Sequence, residues 1–249
     1  MNNYTLALLG PPRTATSSFW STFSQHKNIA CSKMKEPMHR SYKRFIYPRG
    51  YLDEFLVDEN TKVLLDGTPS AYFYFFERIK RIKETFKDIR IIYPLRKPQD
   101  RLYSTIKMIV LSYVINIDVI KYPDFVINSL KIRKDKLLDS FSLLWDSIHL
   151  EHAYRITDKI FITRFDDINL KDIFNFLEVD PIPISLVKRN TLPQWNTSVY
   201  DNVRGDVDSV FLENRQKINE MILDDLIKIR DRVYVEDWID ETKNILSHV

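Results

Sequence analysis

Glycine is scarce in this chain of 249 residues, with four in all: Gly10, Gly50, Gly67 and Gly205. Few positions are therefore open to left-handed backbone at no steric cost, and each glycine marks a place worth reading. Cysteine is scarcer still. Cys31 stands alone, which excludes an internal disulfide and removes any thiol argument for an oxidising compartment. The five histidines, His26, His39, His149, His152 and His248, do not group with cysteine or acidic residues at zinc-like spacing, so no metal is expected. The apolar stretch from Ile109 to Ile120 is broken by Ser112, Asn116 and Asp118, and residues 1–15 lack the basic start and apolar core of a signal peptide. A soluble, cytoplasmic protein with no membrane partner is expected. Neither sign of charge dominates: 37 basic and 34 acidic residues leave a formal net charge of +3, too small to argue for a nucleic-acid partner.

What is present is ordinary globular composition, 44% apolar and 29% charged, in a length suited to one sizeable core. A single domain over residues 1–249 is expected, of the α/β class.

The informative stretch is Tyr4 to Trp20. Leu6 to Leu9 reads as a strand buried on both faces, ended by Gly10, Pro11 and Pro12. Thr14 and Thr16 are placed to cap a helix carrying Phe19, Trp20 and Phe23. The first N–H groups of such a helix have no internal partner and sit at the positive end of its dipole, so the turn is suited to an anion. Gly10 to Ser17 keeps the length of the P-loop pattern G-x-x-x-x-G-K-[ST], but Ala15 replaces the second glycine and Thr16 the lysine. Without that lysine, the nearest cation is Arg13 and an ATPase reading is weak. An ordinary strand-to-helix turn is the plainer alternative.

Further along, Cys31 to Arg49 is basic and aromatic and reads as a loop or short helix, lining a cleft or forming a solvated face. Lys62 to Asp66 reads as a second strand, with Thr68 and Pro69 opening a helix that runs to about Lys87. Ile89 to Leu95 is a third strand, and Arg96 to Ser104 leads into another helix. Residues 122–157 read as helices, Lys159 to Phe165 as a fourth strand, Leu170 to Leu177 as a short helix, and 206–247 as helical. Strand and helix in alternation predict a central parallel sheet flanked by helices, P-loop-like, with a helical C-terminal part. Ligands then bind beyond the carboxyl ends of the strands, where Arg13 and Arg96 share one rim.

Four segments together resemble the sulfotransferases that use 3′-phosphoadenosine 5′-phosphosulfate (PAPS), in particular the carbohydrate and heparan-type enzymes. Gly10-Pro-Pro-Arg-Thr-Ala-Thr-Ser-Ser-Phe-Trp20, continuing to His26-Lys-Asn-Ile29, resembles the family's 5′-phosphosulfate loop, P-R-[ST]-G-[ST]-[ST], and its trailing H-P-x-I. Arg96-Lys-Pro-Gln-Asp-Arg-Leu-Tyr-Ser104 resembles its 3′-phosphate segment, R-x-P-x-x-R-x-x-S. Lys35-Glu36-Pro37 resembles the K-E-P of the carbohydrate enzymes, and Phe161-Ile-Thr-Arg-Phe-Asp-Asp167 the family's strand ending in an acidic pair. Ala15 departs from the family's glycine, Asp66-Gly67-Thr68-Pro69 stands where E-K-[ST]-P is common, and His39 lies one place beyond the usual histidine.

The resemblance implies a sulfuryl transfer from PAPS, with 3′,5′-diphosphoadenosine as product, to a hydroxyl acceptor, for which K-E-P suggests a saccharide. It implies that Arg13, Thr14, Ala15, Thr16, Ser17 and Ser18 hold the 5′-phosphosulfate, that Arg96 and Ser104 hold the 3′-phosphate, and that Lys188 and Arg189 cover the nucleotide. Arg101 is expected near the surface or paired with Asp100. Glu36 is the implied general base, with a surface Glu–Lys pair as its plainer reading and His39 as the second candidate; Arg13 and Lys35 stabilise charge at the transferring group. The alternatives are a phosphoryl transferase with a degenerate P-loop, and a module that binds nucleotide or glycan without turnover.

Overall fold

The computed structural model describes residues 2–37, 51–74, 79–80, 83–105, 145–187 and 212–248. His39, Lys188 and Arg189 lie outside the described residues.

Five strands form one wholly parallel sheet in the order β2-β3-β1-β4-β5. They are β1 (Asn2–Leu9), β2 (Ile29–Cys31), β3 (Val63–Asp66), β4 (Phe86–Leu95) and β5 (Ile160–Arg164). Leu6 to Leu9, Val63 to Leu65 and Ile91 to Leu95 are buried along their whole length, as expected of central strands covered on both faces. The chain leaves β1 for β2 on one side and leaves β4 for β5 on the other. The direction of winding therefore reverses between β1 and β4, and the loops after these two strands flank the crevice so created. Gly10 to Ala15 and Arg96 are those loops.

The short strand β2 is not among the expected elements; it ends at Cys31, where the expected loop begins, and residues 32–36 carry no helix. Its three residues pair with β3 from Ile29↔Val63 to Cys31↔Leu65, so its conformation is set by a neighbouring strand rather than by local propensity. The expected helix from Thr68 to Lys87 is also corrected. Thr68 donates its amide to Asp66 Oδ1 at 2.7 Å, Ser70 adopts φ 48°, and α2 starts only at Ala71; β4 already begins at Phe86.

Among the described residues, helices include α1 (Thr16–Phe23), α2 (Ala71–Tyr74), α3 (Asp146–Ile156), α4 (Leu170–Phe176), α5 (Arg215–Ile229) and α6 (Glu236–Ser247), with residues 98–105 also helical. No helix among the described residues is long and apolar enough to cross a membrane. By internal contacts the chain divides into two compact units, Met1–Arg96 with His149–Asn190, and Lys97–Ile148 with Thr191–Val249.

In the first unit, Phe19 and Phe23 of α1 and Phe174 of α4 pack with Ala7, Leu9, Ile29, Val63, Leu65 and Ile92 of the sheet. Their rings follow one another at 5.6 Å. His26 belongs to this wall: its Nδ1 accepts from Asn28 N at 3.1 Å, so Nε2 carries the hydrogen donated to Asp180 O at 2.8 Å.

In the second unit, Ile218, Ile222 and Leu226 of α5 and Trp238 and Ile239 of α6 are buried. Arg101, expected near the surface, is instead 2% exposed and paired with Asp146, a partner distant in sequence. Asp225 caps the start of α3, accepting from the amides of Asp146 and Ser147. Burial, with Asp146 close by, pushes the Asp225 carboxyl up to about 6. A folded value above the unfolded one means that the folded chain holds the proton more tightly. The group's favourable contribution is complete below about pH 4 and is lost as the pH rises to about 6, a change of roughly 3 kcal/mol at ~1.4 kcal/mol per unit. Asp225→Asn should remove that decline. Denaturant unfolding of both chains between pH 4 and 7 measures it, and parallel stability curves would contradict it.

Candidate active site at the β1–β4 crevice

The loop after β1 turns its carbonyl groups toward the protein. Gly10 O accepts from Ser70 N at 3.0 Å, Pro11 O from Thr14 Oγ1 at 2.6 Å, and Arg13 O from Arg96 Nη1 at 3.2 Å. Ala15 O accepts from Ser18 N at 2.8 Å and Phe19 N at 3.0 Å. The amides behave differently. Among the described residues, no acceptor meets the N–H groups of Ala15, Thr16 and Ser17. A run of amides without acceptors at the positive end of a helix, with the carbonyls of Arg13 and Ala15 engaged elsewhere, forms an anion-binding concavity.

Left-handed backbone makes this curl possible. Arg13 has φ 67° and Ala15 has φ 62°, and Ala15 is the residue that precedes α1. The expected caps, Thr14 and Thr16, do not cap: α1 has no side-chain cap, and the Thr14 hydroxyl is used inside the loop. Ala15 thus keeps a conformation suited to glycine, at a cost of roughly 1–2 kcal/mol, against which the greater unfolded-state freedom of glycine counts for about 0.4–1 kcal/mol. Ala15→Gly should therefore stabilise the chain by about 0.5–1 kcal/mol, read as a rise in Tm. A fall in Tm would show that the methyl group makes compensating contacts.

Arg13 and Arg96 meet at this rim. Burial, and then the neighbouring Arg96 charge, lowers the Arg13 guanidinium from its usual range; two cations held together in this way are relieved by an anion. Arg96 also lies over the Phe165 ring, 5.7 Å from its centroid. Phe165 closes the rim from the end of β5 and is 39% exposed. No motif in the sequence marks Phe165 as part of the rim; its one signal is an aromatic side chain directly after a strand end.

Lys35 and Glu36 form an ion pair, Nζ to Oε1 at 2.6 Å, with both side chains partly exposed. Their backbone is pressed onto the end of β3. A Cβ on Gly67 would fall 2.5 Å from Lys35 O and 3.0 Å from Lys35 Cγ, so glycine at 67 makes the room that the Lys35 stem occupies. Beneath it, Asp66 is wholly buried and accepts from Tyr51 Oη at 2.6 Å and Thr68 N at 2.7 Å. Burial raises the Asp66 carboxyl, and the Glu36 charge adds to this, while the hydrogen bonds from Tyr51 and Thr68 oppose it. Of the other expected site residues, Ser17 is half-buried and Ser18 buried at the start of α1, and Ser104 is partly buried within helical residues 98–105. Among the described residues, no group of three or more His, Cys, Asp or Glu side chains could hold a metal ion.

No protein-family model matches the chain, and no curated protein sequence matches it. Solved structures do. The crystal structure of a sulfotransferase from Alicyclobacillus acidocaldarius is similar over 96% of this chain and 99% of that one, with a TM-score of 0.61 at 13% sequence identity. The central parallel five-stranded sheet, its flanking helices and the helical C-terminal part make a P-loop-like sulfotransferase fold.

Proposed function

We propose that the chain, acting over its whole length as one sulfotransferase-like domain, transfers the sulfuryl group of PAPS to a hydroxyl acceptor of the saccharide class. The observation that carries this reading is the loop of residues 10–18, whose carbonyls at 10, 11, 13 and 15 are engaged by protein donors while its amides at 15–17 meet no acceptor among the described residues, set beside the neighbouring guanidinium groups of Arg13 and Arg96. The composition of the loop also supports it: Thr16 stands where a P-loop has the lysine that serves a nucleoside triphosphate. The saccharide class rests on Lys35-Glu36-Pro37.

Sulfuryl transfer resembles phosphoryl transfer in being a loose, in-line displacement, so positioning and charge stabilisation supply most of the rate. The acceptor oxygen attacks sulfur, the bond from sulfur to the bridging oxygen breaks, and the negative charge gathers on the 5′-phosphate of the departing 3′,5′-diphosphoadenosine. Arg13, the loop amides and the Thr16 and Ser17 hydroxyls stand where that charge develops. Lys35 bridges donor and acceptor once its pair with Glu36 opens. Glu36 takes the acceptor's proton, with His39 as the second candidate. Arg96 and Ser104 take the 3′-phosphate, and Lys188 and Arg189 cover the nucleotide.

The test is transfer of radiolabelled sulfate from PAPS to a panel of saccharides, with and without chelator. Label should move at the same rate in both. A strict requirement for magnesium, or transfer from ATP instead, would replace this reading with phosphoryl transfer.

A further inference from the structure

Ser70 is the most constrained residue near the crevice. It is fully buried and holds φ 48° without being glycine, a conformation that persists only where its surroundings over-determine it. Three contacts do so. Its amide donates to Gly10 O at 3.0 Å and its carbonyl accepts from Phe73 N at 2.8 Å. Its hydroxyl shares a hydrogen bond of 2.9 Å with Nδ1 of His149.

His149, from α3, is itself wholly buried and packs against Phe73, with ring centroids 4.7 Å apart and planes tilted by 39°. On the opposite side, Gly10 is held against β4. Its amide donates to Ile92 O at 2.8 Å, and a Cβ there would lie 3.0 Å from Pro94 Cδ and 3.1 Å from Tyr93 Cα. Gly10 is therefore fixed on one side by the sheet, through its amide, and on the other by Ser70, through its carbonyl.

We propose that His149 and Ser70 form a positioning pair for the anion loop: His149 holds the Ser70 hydroxyl, Ser70 stays left-handed, and its amide fixes the Gly10 carbonyl so that the amides of residues 15–17 converge. This deepens the donor-site reading and rests on it. Neither residue touches the nucleotide. A packing role alone would require only that His149 fill its space, whereas positioning requires a polar atom where Nδ1 stands.

Three variants separate the two roles. His149→Phe keeps a ring packed against Phe73 but removes the hydrogen bond to Ser70, His149→Asn places an amide group near the Nδ1 position, and Ser70→Ala removes the hydroxyl from the other side. Hydrogen exchange of residues 10–18 in the nucleotide-free chain is read first, then affinity for 3′,5′-diphosphoadenosine. His149→Phe and Ser70→Ala should each speed exchange of the loop amides and weaken the nucleotide at least fivefold. The double variant should be no worse than either alone, and His149→Asn should restore both readouts. Unchanged exchange in His149→Phe and Ser70→Ala, or a His149→Asn variant as impaired as His149→Phe, would overturn the pair. If the unaltered chain binds no 3′,5′-diphosphoadenosine, the donor reading fails by itself, and the exchange measurement still decides whether Ser70 and His149 hold the loop.

Discussion

Arg96→Ala should weaken binding of 3′,5′-diphosphoadenosine by one to two orders of magnitude, the consequence of losing about 1.5–3 kcal/mol of charge-assisted contact to a phosphate. Arg96 stands at the end of β4 beside the crevice, donates to Arg13 O at 3.2 Å and is braced by Phe165. Its guanidinium is thus already oriented, so little rotamer entropy is spent when an anion arrives. The variant loses the charge and also the tie on the Arg13 carbonyl. ADP, which lacks the 3′-phosphate, should lose much less affinity than 3′,5′-diphosphoadenosine. Arg96→Lys should fall between, since an ammonium keeps the charge but not the planar fork. Calorimetric titration of both nucleotides decides the matter; unchanged affinity in Arg96→Ala would remove the residue from the donor site.

Glu36→Gln should lower turnover about a hundredfold or more while leaving nucleotide affinity nearly intact, the pattern of a lost general base. The carboxylate is bound by Lys35 at 2.6 Å in the resting chain, and an amide in its place can neither accept the acceptor's proton nor hold that ammonium by charge. Single-turnover transfer from PAPS separates the chemical step from nucleotide release. Normal turnover would move the base role to His39 and leave Glu36 as half of a surface ion pair.

Much of this architecture was legible because the buried strands advertise themselves. Leu6 to Leu9, Val63 to Leu65 and Ile91 to Leu95 are apolar along their length since both faces of the sheet are covered. Their alternation with helices puts Arg13 and Arg96 on one rim, and the two are joined there by a hydrogen bond. The short strand Ile29–Cys31 was not legible, because three residues carry no period and the partner that makes them a strand lies thirty-odd positions away in register with β3.

Backbone conformation was the second blind spot. Ala15 and Ser70 are left-handed without glycine, and no residue preference announces that; only the surrounding contacts impose it. For the same reason, Thr14, Thr16 and Thr68 looked like helix caps and are not. Arg101 was misplaced because its partner, Asp146, is brought to it by tertiary structure alone.

The measurement that bears most directly on the proposed donor site is a calorimetric titration of the unaltered chain with 3′,5′-diphosphoadenosine, with ADP and ATP as controls, since it requires no knowledge of the acceptor. Micromolar binding that depends on the 3′-phosphate is the predicted result. No binding, or a preference for ATP, would contradict it and leave a sulfotransferase fold put to another use.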